Sequence, residues 1–225
     1  MIKIDKIIKS RRKTISLCIN DEGFIIVKAP LNVSKIYIDN FIKKHERWII
    51  KKIDEVKKYR IENPKKNFIE GENFLFLGNF YRLKFSENQG QKIIFTDSFY
   101  IDSKYKANAK DILIHWYKNN AYKILSERAD YYSKKFGYKY NKIKITSAKR
   151  RWGSCSFNGN LNFSYRILLL PVDVIDYVVI HEIVHLKVRD HSKRFWKEVQ
   201  NIMPDYKKHH NYLKENRCLL SFNGF

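Results

Sequence analysis

His181-Glu182-Ile183-Val184-His185, with His191 soon after, constrains this chain more than any other stretch. On a helix, residues i and i+4 share a face, so His181 and His185 can offer their imidazoles to one metal ion. Glu182 follows the first of them and can reach a water held by the metal without joining the coordination sphere. A catalytic zinc takes three protein ligands and keeps one position open for water. His181, His185 and His191 supply the three ligands, and Glu182 supplies a general base. The pattern points to Zn2+ and to hydrolysis.

The segment around the motif reads as a buried helix. Pro171 suits a first helical position, and Asp173 and Asp176 fall in or near the first turn. Val174, Ile175, Val178, Val179, Ile180, Ile183, Val184 and Leu186 cover nearly every side of it, and a helix apolar all round is buried. Histidine and glutamate on such a helix need partners, and a metal is a good one. The plainer alternative is a pair of hydrogen-bonded core histidines with the glutamate in a salt bridge.

The remaining composition sets bounds. With 225 residues, 44% of them hydrophobic, and 15 Tyr, 15 Phe and 4 Trp, the chain can bury a sizeable core and is not disordered. Lys and Arg number 45 against 23 Asp and Glu, a formal charge of +22 that favours polyanionic surroundings and leaves nucleic-acid association open. The basic residues are spread along the chain, as a general lysine-rich bias would also spread them. Cys18, Cys155 and Cys218 form no CxxC pair and no disulfide framework, which favours a reducing compartment. The N-terminus lacks an apolar signal core, and no run of about 18 apolar residues exists. A cytoplasmic protein that does not enter the membrane is expected; the oligomeric state is not readable.

Along the chain, short strands are expected at Ile2–Ile4, Thr14–Ile19 and Phe24–Val27, the last two joined by the Asp21-Glu22-Gly23 turn. Ser34 is a good N-cap for one helix whose apolar stripe runs to about Tyr59 and carries His45 as a packed residue. Asn63–Asn67 reads as a linker. Strands follow at 74–77, 81–85, 93–95 and 99–101, then a long helix from about Ala107 to Phe136 with Gly137 as its cap. Its expected buried side is Ile112, Leu113, Trp116, Ala121, Ile124, Leu125 and Tyr132. A strand at 143–145 and a hairpin turning at Asn158-Gly159 precede the histidine helix. Ser192 can cap a helix that Pro204 ends, and a basic helix runs from Asp205 to about Leu220. The fold class is α+β, divided into a strand-rich part over residues 1–105, with one long helix, and a second part over 106–225.

The chain resembles the YgjP-like metallopeptidases nearly end to end. The residues that carry the resemblance are Arg151-Trp152-Gly153-Ser154-Cys155, Tyr177-Val178-Val179 leading into the HExxH segment, Asp190-His191-Ser192, Phe195-Trp196 and Met203-Pro204-Asp205-Tyr206. Ala29-Pro30 and the helix carrying Trp48 look like the family's amino-terminal part. The resemblance implies a zinc-dependent peptidase with a compact zincin-like core, similar to the SprT and WLM metallopeptidases. It carries the ligands over to His181, His185 and His191, the general base to Glu182, and a peptide or protein substrate to the site. Some SprT and WLM members act on DNA-bound proteins, so a protease of that kind is a second reading. A basic nucleic-acid-associated protein with a structural zinc is a third.

Val188 stands where metzincins have a glycine after the second histidine, so the chain is not read as one. The turn is expected near Arg189-Asp190. Glu198 and Glu215 are weaker third-ligand candidates than His191. Arg150, Arg151, Tyr177 and His210 are candidates to stabilise an oxyanion. Asp190 is a candidate to orient an imidazole, or simply a helix-end residue. Trp152 is read as packing beside the site, and Cys155 as a buried thiol.

Overall fold

A computed structural model of the chain describes residues 2–20, 22–62, 66–216 and 219–220. These form a mixed α+β structure with six α-helices and three small sheets among the described residues. The chain divides into two compact units, residues 1–65 and 66–225. Asp21, most of the expected linker (63–65) and Cys218 lie outside the described residues.

The first unit has strands β1 (Lys6–Ser10), β2 (Ser16–Ile19) and β3 (Ile25–Pro30) in the order β1-β3-β2, with β1 parallel to β3 and β2 antiparallel. The strand expected at Ile2–Ile4 starts later. Ile2 and Ile4 pack against the cluster built on Ile25, Val27 and Ala29, and Asp5 Oδ2 accepts the Ile25 N–H at 2.7 Å. The single helix expected from Ser34 is two, α1 (Lys35–Lys44) and α2 (Glu46–Glu62). Ser34 caps α1 as expected, its Oγ accepting the Tyr37 N–H. The break falls at His45 (φ −105°, ψ 12°), whose ring Nδ1 lies 2.8 Å from the Phe41 carbonyl. In a continuous helix that carbonyl would take the His45 amide; the amide turns instead to Ile42 and Lys43.

The second unit holds two sheets. Strands β4 (Asn73–Phe76), β5 (Asn79–Ser86), β6 (Ile93–Phe95) and β7 (Phe99–Asp102) are ordered β4-β5-β7-β6. They pack through Phe76, Phe95 and Phe99 onto Trp116 and Tyr117 of α3 (Ala109–Phe136). That aromatic packing puts the division near residue 65, whereas the strand content of the sequence suggests one at 105. The Tyr117 hydroxyl also donates to the Leu75 carbonyl at 2.7 Å. Tyr117→Phe should therefore lower stability by about 1–2 kcal/mol, because the hydrogen bond made by this buried side chain is lost; urea unfolding would measure it.

Helix α3 follows a 3-10 stretch at Ser103–Asn108 and ends where Gly137 adopts φ +67°. Its buried residues are Ala109, Leu113, Tyr117, Ala121, Leu125, Ala129 and Ser133, a strict four-residue ridge. The expected side shares only Leu113, Ala121 and Leu125 with it. Of the others, Tyr132 turns instead to the Asp176 carboxylate, a polar partner that its apolar ring gave no reason to expect. Small residues on the ridge let the helix approach α4 (Val172–Val184) closely.

The third sheet frames the site. Strands β8 (Ile143–Thr146), β9 (Gly153–Cys155) and β10 (Leu161–Ser164) are ordered β8-β10-β9. Strands β9 and β10 form the expected hairpin, closed where Gly159 adopts φ +70°. Helices α5 (Lys193–Ile202) and α6 (Tyr206–Glu215) complete the unit, and α6 ends short of the expected Leu220. Among the described residues no helix is long and apolar enough to cross a membrane.

Candidate metal centre and its surroundings

Helix α4 is buried on nearly all sides from Val174 to Val184, as its apolar sequence requires. His181 and Glu182 occupy its last turn, and His185 is the first residue beyond it. The chain leaves the helix through the Lys187 and Val188 amides, both bonded to the Val184 carbonyl. Val188 is buried and Arg189-Asp190 follow; none of these three adopts positive φ, so the turn needs no glycine. The loop then returns His191 to the helix end.

The Nε2 atoms of the three histidines converge. His191 Nε2 lies 3.0 Å from His181 Nε2 and 3.2 Å from His185 Nε2. His185 Nδ1 lies 3.0 Å from the Val188 carbonyl, which only a donor can bond, so its proton is on Nδ1 and its Nε2 lone pair faces the others. Burial, then the neighbouring His185, His191 and His210, holds the His181 pKa down to about 3. Burial also lowers that of His185. Both rings are neutral at physiological pH and able to donate a lone pair. His181 Nδ1 is buried without a hydrogen-bond partner among the described residues. Two tetrahedral zinc ligands at ~2.0–2.1 Å stand roughly 3.3–3.4 Å apart, so the observed spacing fits a cation shared by three imidazoles. Among the described residues this is the one cluster of His, Cys, Asp or Glu able to hold a metal.

Phe195 of α5 supports all three rings, with centroid distances of 4.9 Å to His181, 4.5 Å to His185 and 4.8 Å to His191. No spacing rule marks this residue; its helix merely reads as amphipathic. Glu198 shares a long hydrogen bond with Tyr138, and neither Glu198 nor Glu215 joins the histidines.

Glu182 is 6% exposed, its carboxyl packed against Gly153. A Cβ built on Gly153 would lie 2.7 Å from Glu182 Oε1 and 2.8 Å from its Cγ. Burial pushes the Glu182 pKa up to about 8, opposed by the Arg151 charge and a hydrogen bond from the Cys155 amide. The Cys155 thiol is half-buried and its pKa raised, first by burial. Trp152 is buried.

Tyr177 is buried, with its ring 6.0 Å from that of His181, and its hydroxyl shares a 2.9 Å hydrogen bond with His210 Nδ1. His210 in turn meets Trp196 at 5.4 Å. Tyr177 and His210 thus stand on the histidine side, and Arg151 on the Glu182 side. Arg150 is exposed, and nothing brings it to the cluster. Asp190 Oδ1 accepts the Ser192 N–H at 3.0 Å, and its charge also acts on His185 and His191. Arg189 ties the loop to the hairpin turn by bonds to the Ser156 and Phe157 carbonyls at 2.8 and 3.0 Å.

The family model described as YgjP-like, metallopeptidase domain matches residues 13–216. Curated proteins gave no match. Among solved structures, the chain is similar to the metallopeptidase zymogen abylysin of Pyrococcus abyssi at 24% identity. That likeness covers 40% of this chain and 93% of the other, with a TM-score of 0.37. The family match spans nearly the whole sequence and implies metal-dependent peptide hydrolysis. The chain belongs to the YgjP-like metallopeptidase family.

Proposed function

We propose that this chain is a zinc-dependent peptidase in which His181, His185 and His191 hold the metal and Glu182 is the general base. The observation that carries the reading is the meeting of three imidazole nitrogens at the end of a buried helix that also carries a buried carboxylate, one residue past the first of them. An all-imidazole donor set suits zinc among the common catalytic metals. Bound zinc would supply Lewis acidity toward the substrate carbonyl and make water acidic enough to ionise near neutral pH.

The chain's own residues do the rest. Glu182 takes a proton from the attacking water at its carboxylate and returns it to the departing amine. Gly153 and the Cys155 amide hold that carboxylate in one place. Phe195 and the Val188 carbonyl fix the imidazole rings. His210, braced by Tyr177, is the donor assigned to the developing oxyanion. A buried carboxylate next to the cluster supports catalysis over a purely structural zinc, which has no use for one.

Metal analysis should find one zinc per chain. Exhaustive chelation should abolish hydrolysis of a test protein, and stoichiometric zinc should restore it. Hydrolysis that survives complete metal removal would overturn the reading.

A further inference from the structure

The β8-β10-β9 sheet has two faces with opposite uses. On one, Leu161 and Phe163 are buried, and Cys155 and Gly153 lie opposite them in register. Gly153 backs onto Glu182 there. The other face carries Lys144, Asn162 and Ser154 in one cross-strand row, with Thr146 and Ser164 in a second. With Arg151 and Trp152 these residues line a cup of about 240 Å³. Pockets for drug-sized ligands run from roughly 300 Å³ upward, so the cup suits a single side chain.

The charge of the cup has one sign. None of its lining residues is acidic, and Lys144 and Arg151 are both exposed. No Asp or Glu occurs between Asp130 and Asp173, whereas nine Lys and Arg do. Neither Lys144 nor Arg151 forms a salt bridge among the described residues. The floor is already satisfied: Thr146 donates to the Phe163 carbonyl, Ser164 to that of Ala148 and Asn162 to that of Ser154. Lys144 is left to meet a ligand, with Arg151, whose charge also acts on Glu182, at the same cup.

The strand register connects the cup to the cleavage site. Ser164 N–H bonds the Trp152 carbonyl and Ser156 N–H bonds that of Asn160, so even-numbered residues of this strand face β10. By alternation, the main-chain groups of Gly153 and Cys155 face the free edge, as the Cys155 bond to Glu182 bears out. A peptide laid along that edge would send alternate side chains to the face that carries Ser154. With strands ~4.8 Å apart, a glutamate there reaches over Ser154 toward Asn162, where Lys144 can meet it from the third strand.

We infer that this cup is a subsite for an acidic side chain of the peptide substrate, a reading that rests on the peptidase function proposed above. Lys144 on β8 and Arg151 just before β9 would grip the carboxylate from across the cup.

The test is a binding experiment, which separates this inference from cleavage. Zinc-loaded full-length Glu182→Gln protein is titrated into fluorescently labelled peptides that carry Glu, Gln or Lys at one scanned position. At one position Glu should bind about fivefold tighter than Gln, and Lys weaker still. Lys144→Glu, added to the same protein, should reverse the order, and its improved binding of the Lys peptide shows that the variant is folded. If no position separates Glu from Gln by more than about twofold, or if the preference survives Lys144→Glu, the inference is wrong. It is equally wrong if only a single-stranded oligonucleotide binds in a Lys144-dependent way. Failure of the peptidase reading looks different: wild-type zinc protein would bind these peptides with the same preference and leave them intact.

Discussion

Glu182→Gln should lower peptide hydrolysis by about three orders of magnitude and leave the zinc content unchanged. Glutamine has the same shape, so it still fills the space against Gly153 and can accept the Cys155 amide through its carbonyl oxygen. It cannot take a proton from water. A loss of about 10³ in kcat corresponds to about 4 kcal/mol of transition-state stabilisation, within the range for a positioned general base. Metal analysis and kcat on one test peptide settle it together, and a variant as active as wild type would remove Glu182 from the chemistry. The same variant has a second readout in metal-free protein. Burial raises the folded-state pKa of Glu182 to about 8, above its ordinary value of 4.5. The folded state therefore holds that proton more tightly than the unfolded one. Its contribution to stability is complete below the unfolded pKa and lost as pH rises through about 8. Metal-free wild type should lose stability relative to Glu182→Gln between about pH 4.5 and 8, measured by urea unfolding at several pH values.

Gly153→Ala should cost about 10² in kcat, again with zinc retained. The reason is space rather than backbone conformation. The added methyl would stand 2.7 Å from Glu182 Oε1, 2.8 Å from Cγ and 3.0 Å from Cδ, closer than non-bonded atoms tolerate. Helix α4 is buried against α3, α5 and α6 and has little room to retreat. The Glu182 side chain must then swing off the strand and give up the Cys155 amide. A base displaced by about 1 Å loses most of its effect, since proton transfer depends on near-contact geometry. Because the methyl acts through Glu182, adding Gly153→Ala to Glu182→Gln should reduce kcat little further. Two losses that multiplied in full would show that Gly153 acts on some other part of the site.

These predictions draw on different levels of the molecule. The HExxH helix, its burial and the hairpin before it are local patterns: apolar residues on every side from Val174 to Val184, and a turn at Asn158-Gly159. Such patterns are readable because they repeat with the period of one element. The break at His45 is local too, but it depends on a side chain taking the Phe41 carbonyl, which no periodicity encodes. The division near residue 65 was not legible, because it depends on which helix the strands of residues 73–102 pack against. Phe76 and Phe99 meet Trp116 and Tyr117 across a long sequence separation.

The sequence by itself determined that two histidines would share the end of one helix with a glutamate beside them, since chain geometry fixes i and i+4 neighbours. It also carried the family's residues from Arg151 to Tyr206. Only the tertiary structure decided that Phe195 supports three imidazoles, that Gly153 holds Glu182, and that Asp190 accepts the Ser192 amide. It likewise placed Tyr177 and His210 on the histidine side and left Arg150 in solvent. Those contacts join residues from separate helices and strands, and they exist only once packing has chosen which surfaces meet.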